Sequence, residues 1–324
     1  MSSTQPDRLR AAAEAASAAW FSGPVDLTPL GQGPGHTYRV DMPGERFLLR
    51  VHLPADPPFT PLYYAPEGLE SECAWLLALG SETELTVPQP VPAPEGGHVH
   101  LARAEGRTAP CTLMRWIEGE HVEGRRTEEQ ARMQGELLVA LHEHAEGWTP
   151  PAHFTRPTHD ASWVQEAVRR LNRLAAAGVI PSEHAAVMAS AVDIALKELP
   201  EPSELGLIHG DLHGENYLFH EGEIRPIDFA RAGWGTWLLD LAESLQHHYP
   251  QERRVVVDTY AAQRPLQDGD ERRLESYMVR CMVETYGYHS EDPSSQDWMP
   301  KSIANVAERH LLAHLDGRPW LFEF

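Results

Sequence analysis

The sequence predicts an α+β protein: a small antiparallel-sheet N-terminal part carrying one helix, then a larger, mostly helical part. Three observations lead there. Strand-type runs broken by turn residues crowd positions 25–53 and 98–119. From residue 127 onward apolar residues recur at helical spacing instead. That helical region is interrupted by one block, 205–243, which reads as a strand, a polar loop, a hairpin and a second loop. A length of 324 residues allows two modest domains or one large one.

Residues 7–22 read as an opening helix, because Ala dominates them and Ala is the best helix former, with Trp20 and Phe21 as anchors. Strands follow on both sides of Gly31-Gln-Gly33-Pro-Gly35. Glycines at alternate positions suit a backbone that approaches phosphates; they equally suit a plain turn. Phe47-Leu-Leu-Arg50-Val-His52 is a further strand, and the five prolines of 54–68 read as a loop. Residues 67–79 form a helix with Glu70 and Glu72 among its acids, and Thr112-Leu-Met114-Arg-Trp116 closes the strand-rich part. The boundary is placed so that 1–115 forms one lobe and 116–324 the other.

The helical part opens at Thr127-Glu-Glu-Gln130, a capping-box arrangement. Further helices are expected at 162–177, 182–199, 240–248, 252–262, 271–286 and 301–314. The tail Pro319-Trp-Leu-Phe-Glu-Phe324 is aromatic enough to dock. Within the central block, Glu221-Gly222 between two short β-type runs is a hairpin signal. A hairpin folds Asn216 and Asp228 back towards each other, so that both reach one cation. Asp211, Asn216 and Asp228 are groups suited to proton and metal chemistry.

Composition bounds the function. The formal charge of −21 opposes a DNA or RNA partner, which needs a basic face. It suits a cationic partner and equally a plain acidic, solvated surface. No apolar run approaches the ~18–20 residues of a membrane span, and the N-terminus lacks a signal-peptide stretch. Cys73, Cys111 and Cys281 are widely spaced and odd in number, as expected of reduced thiols in a cytoplasmic protein.

His209-Gly-Asp211-Leu-His213-Gly-Glu215-Asn216, followed by Ile227-Asp228-Phe-Ala, keeps the kinase spacing of catalytic Asp to Asn with a second acidic loop behind it. With Gly210 after the His and Leu239-Asp240-Leu-Ala beyond, it resembles the aminoglycoside phosphotransferase and choline kinase family of protein-kinase-like fold. Leu49-Arg50-Val-His52 resembles the branch of stress-response-kinase-like and homoserine-kinase-like members. Ser71-Glu72-Cys-Ala-Trp-Leu resembles the family's Ser-Glu-x-x-Trp-Leu, which implies Glu72, with Glu70 as the competitor, as the helix acid that pairs with Arg50. The resemblance implies a two-lobe fold and an ATP- and Mg2+-dependent transfer to the hydroxyl of a small molecule. An aminoglycoside, choline, homoserine or a similar acceptor fits, and GTP is an open alternative to ATP. It implies Asp211 and His209 as catalytic residues and Asn216 and Asp228 as metal ligands. The nucleotide falls to Gly31, Gly33, Gly35, Arg50, Glu72 and the main chain around Met114 and Trp116. Arg50 stands where the family carries Lys, a departure that keeps a nucleotide-binding pseudokinase open beside a protein Ser/Thr kinase. Asp240 is expected to brace the loop rather than touch substrate.

Overall fold

The computed structural model describes residues 5–30, 36–53, 61–104, 106–122, 124–199, 205–290, 292, 295 and 297–323. The glycine loop with Gly31, Gly33 and Gly35 lies outside the described residues. The chain divides into two compact units. One comprises Met1–Glu120, Trp148–Pro157 and Arg225–Ala232; the other comprises His121–Gly147, Thr158–Ile224 and Gly233–Phe324.

The first unit is built on a five-stranded antiparallel sheet of order β1-β2-β3-β5-β4. Its strands are β1 (Asp26–Pro29), β2 (His36–Met42), β3 (Glu45–Val51), β4 (Val99–Ala104) and β5 (Arg107–Arg115). Period-two alternation sorts the residues of β3. Phe47, Leu49 and Val51 join Cys111 and Leu113 of β5 in a core closed by Leu9, Ala12, Ala13 and Ala16 of α1 (Gln5–Trp20). Arg50 has the opposite parity and meets Glu72 of α2 (Pro66–Glu82). The helix α2 starts on Pro66, where a missing N–H costs nothing, and buries Leu69, Trp75, Leu76 and Leu79.

The second unit is mostly helical. It contains α3 (Glu128–Gly147), α4 (Ala161–Ala176), α5 (Ser182–Glu198), α6 (Trp237–Ser244), α7 (Pro250–Gln263) and α8 (Asp270–His289). The last helical stretch runs from α9 (Met299–Val306) through a π-turn at Ala307–Leu311 into α10 (Leu312–Leu315). The helix α8 packs against α4, α5 and α6. Its contact with α4 is close enough that a Cβ on Gly287 would lie 2.3 Å from that of Ala167. The capping box at the start of α3 forms in both directions between Thr127 and Gln130. Trp320 and Leu321 of the tail are buried, their N–H groups donated to Glu275 at 2.6 and 2.9 Å.

Short strands hold the central block. β6 (Gly206–Ile208) pairs antiparallel with β9 (Gly233–Gly235), and β7 (Tyr217–His220) with β8 (Glu223–Pro226) forms the expected hairpin. Its turn has Glu221 at φ 49° and Gly222 at φ 83°, the paired left-handed conformations a two-residue hairpin loop needs. The expected helix at 240–248 instead starts at Trp237, because Thr236 caps it by accepting the Leu239 N–H at 3.3 Å.

Candidate active site

The second unit holds the Asp211 loop, and Asp240 determines its shape. From the first turn of α6 the buried carboxylate of Asp240 accepts the N–H groups of His209 at 3.0 Å and Gly210 at 2.8 Å. His142 of α3, also fully buried, meets it through Nε2 at 3.0 Å, and Tyr260 lies 2.9 Å from His142 Nδ1. A carboxylate only accepts, so His142 donates through Nε2. Burial raises the Asp240 pKa, but the His142 hydrogen bond, the nearby histidines and the Gly210 N–H outweigh it and leave the pKa lowered. Loop ends at β6 and β7 and a buried anion at its base thus fix residues 209–216.

On that loop Asp211 is partly exposed, with a fifth of its side chain accessible. Asn216 Nδ2 donates to the Asp211 carbonyl at 2.8 Å and to its Oδ2 at 3.1 Å. The amide nitrogen is therefore turned to Asp211, and the hard oxygen Oδ1 is turned away from it. His213 lies at the rim, Nε2 3.8 Å from Asp211 Oδ1, and Glu215 is exposed. His209 is completely buried, which suits a brace. Tyr217, the residue after Asn216, is buried and bonds Gln134 at 2.9 Å as well as Arg126.

In the first unit Arg50 Nη1 binds Glu72 Oε1 at 2.7 Å, and its Nη2 lies 3.3 Å from Asp228 Oδ1. Burial works against the Arg50 charge, yet the two carboxylates override it and push the pKa up. Glu70, the other acid considered for this pairing, accepts the N–H groups of His98 and Val99 at 2.7 and 2.9 Å instead. Asp228 itself has left-handed backbone, φ 56° and ψ 66°, and its carboxylate accepts the Ala230 N–H at 3.3 Å. Such a conformation in a residue other than Gly costs about 1 kcal/mol or more and clusters at functional sites. At the end of β5 Met114 is buried, the Arg115 N–H goes to Gln89 O at 2.8 Å, and the Trp116 N–H goes to Arg46 O at 3.2 Å.

Two buried residues escaped sequence reasoning. His142 stood on the apolar face of its helix, four residues after Leu138, which was its only signal. Arg156 sits between Thr155 and Pro157 in a stretch with no motif, yet its guanidinium is nine-tenths or more buried beside Glu72 and the turn after Asp228.

A five-stranded antiparallel sheet with Arg50 facing a helix carboxylate, and a helical unit carrying the Asp211–Asn216 loop, define a protein-kinase-like phosphotransferase. The chain belongs to the phosphotransferase enzyme family (APH), whose family model matches residues 26–277. It is similar to a homoserine kinase of Neisseria meningitidis serogroup B, 28% identical over 149 residues, 44% of this chain and 46% of that relative. The chain thus spans about half the length of the curated relative it matches. Among solved structures it resembles a microcompartment-associated aminopropanol kinase, with a TM-score of 0.72 and 26% identity over 90% of this chain and 93% of the other. It shares its fold with an amicoumacin kinase solved with AMP-PNP, Ca2+ and Ami, with a TM-score of 0.68 and 16% identity over 90% and 89%. No helix among the described residues is long and apolar enough to cross a membrane.

Proposed function

We propose that this enzyme transfers the γ-phosphoryl group of ATP, with Mg2+, to the hydroxyl of a small amino alcohol. The observation that carries the reading is Asp211, partly exposed on a loop whose main chain is anchored to buried Asp240. A carboxylate so held orients an acceptor hydroxyl and takes its proton. The acceptor oxygen then bonds to the γ-phosphorus, the bond to the β-phosphate oxygen breaks, and ADP leaves with the electron pair. His209 braces the loop.

Asn216 and Asp228 are the metal ligands of this reading. No cluster of three or more His, Cys, Asp or Glu suited to a metal occurs among the described residues. That fits Mg2+, which uses one or two protein oxygens and takes the rest from phosphates and water. The Asn216 oxygen turned away from Asp211 and the half-exposed Asp228 carboxylate are such donors. Bound there, the ion would neutralise charge on the phosphates. Arg50, set by Glu72, serves the phosphates in place of Lys, since a guanidinium forks onto phosphate oxygens. Gly31, Gly33 and Gly35 cover them, and the main chain around Met114 and Trp116 takes the adenine. In this reading 1–115 is the nucleotide lobe and 116–324 the acceptor lobe.

The amino-alcohol acceptor is supported by the names of the two relatives, a homoserine kinase and an aminopropanol kinase, and by the net charge of −21. The test offers γ-labelled ATP with homoserine, 1-amino-2-propanol, choline or an aminoglycoside. Label is expected in an amino alcohol, and Asp211→Asn lowers kcat by about 10²–10⁴-fold while ATP still binds. Transfer to protein serines instead, or nucleotide binding with transfer to nothing, overturns the reading.

A further inference from the structure

Arg156 is a buried cation whose side chain is 1% exposed. Its nearest carboxylate is Glu72, 4.0 Å away and already bound to Arg50. What meets the guanidinium is main chain. Nε donates to Ala232 O at 2.6 Å and Nη1 to Gly68 O at 2.9 Å; Nη2 donates to Ala230 O and, at 3.4 Å, to Phe229 O. The Arg231 carbonyl between them accepts the Tyr63 hydroxyl at 3.2 Å, and the Tyr63 ring lies 5.2 Å from the Arg156 guanidinium. The carbonyls of all four residues after Asp228 are therefore held by this pair. Gly68 belongs to the first turn of α2, four residues before Glu72. The chain beside Arg156 is fixed to the next turn of the same helix, Thr155 N–H to Ser71 Oγ at 2.9 Å.

Burying a guanidinium is costly, and packing alone is served better by an apolar side chain. What an apolar residue cannot do is fork onto several carbonyls at once. Asp228 needs such support, because its left-handed backbone persists only where the surroundings over-determine it. We propose that Arg156 is a positioning residue for phosphoryl transfer: it clamps the turn after Asp228 to the first turn of α2, setting Asp228 and Glu72 together against Arg50. The inference rests on the reading of Asp228 as a metal ligand.

The test compares wild type with Arg156→Lys and Tyr63→Phe. Lysine keeps the charge and loses the fork; Tyr63→Phe removes only the partner of the Arg231 carbonyl. In Arg156→Lys, amide exchange over 229–232 accelerates, and the Mg2+ concentration for half-maximal transfer rises about tenfold or more, as for lost partners behind a metal ligand. The acceptor KM and AMP-PNP affinity without Mg2+ stay near wild type. Tyr63→Phe shifts the same two quantities less, and it decides the matter if Arg156→Lys does not fold. Wild-type exchange over 229–232 in the variants, or faster exchange with an unchanged Mg2+ requirement, overturns the proposal; the latter leaves a purely structural residue. If wild type phosphorylates no acceptor, calorimetry of AMP-PNP with and without Mg2+ reads the same shift. The proposed function then fails separately from this one.

Discussion

Glu72 shows how much one side chain can carry. It is 3% exposed, bound to Arg50 at 2.7 Å and 4.0 Å from Arg156. Glu72→Gln preserves volume and removes the negative charge between two buried guanidiniums. Losing one partner of a buried ion pair costs about 3–5 kcal/mol, mostly because the remaining charge is uncompensated. Arg50 keeps Asp228 at 3.3 Å as its remaining carboxylate. If Asp228 holds the metal as proposed above, Arg50 then competes with the ion for that group. Glu72→Gln should therefore lower the urea midpoint and also raise the nucleotide KM and the Mg2+ requirement. A variant that melts earlier but keeps both kinetic constants would show that Glu72 serves the fold alone. The preference for Glu72 over Glu70 came from the likeness of Ser-Glu-Cys-Ala-Trp-Leu to the family's Ser-Glu-x-x-Trp-Leu, since the residues alone left both acids as ordinary helix acids. Arg156 was not legible. Its partners are carbonyls 73 to 76 residues further on and 88 residues back, and a carbonyl carries no residue identity for a sequence to display.

At the scale of the element, α6 exists to present Asp240 to the Asp211 loop. Its N-terminal turn brings the carboxylate beneath the His209 and Gly210 N–H groups while His142 supplies a proton donor from α3. Three donors converge on one acceptor-only group. Asp240→Asn replaces an acceptor oxygen by an NH2 that faces a donor, leaving buried N–H groups unmade at about 1–3 kcal/mol each. The expected result is a lower melting temperature, faster exchange at the His209 and Gly210 amides, and a loss in kcat larger than any change in nucleotide KM. Unchanged exchange at these two amides would mean that β6 alone holds the loop. The bracing role of Asp240 could be read from Leu-Asp-Leu-Ala, but the start of α6 could not. Helical periodicity was followed from Asp240, whereas the end is set by the Thr236 cap, a single hydroxyl outside the apolar pattern. Periodicity marked α3, whose Leu137, Leu138 and Leu141 are buried on one face, whereas the opening helix was legible from its Ala content. The glycine loop stands apart, as it lies outside the described residues.

For the molecule as a whole, buried histidines make acid the expected weakness. In the C-terminal helices of the second unit, His314 is fully buried and His310 nearly so. Burial, then Arg253 and Arg309, lowers the His310 pKa to about 4. Burial and Arg272 lower that of His314 to about 4, against the pull of Glu198 3.6 Å away. In the unfolded chain both titrate near 6.5. Between pH 6.5 and 4 the unfolded state thus holds protons that the folded state refuses, so stability rises with pH through this window and is fully present above it. Each histidine removes about 2 kcal/mol by pH 5 at 1.36 kcal/mol per pKa unit. His52 of the first unit and His248 of the second, both buried with pKa values well below normal, act in the same direction. Urea melts from pH 8 to pH 5 should show a falling midpoint below pH 6.5. In His310→Asn/His314→Asn, compared with wild type at each pH, that slope should flatten without vanishing, because His52 and His248 remain. A double variant with the wild-type slope would assign the acid sensitivity to other groups, and a flat wild-type profile would mean that the two imidazoles accept protons in the folded state after all.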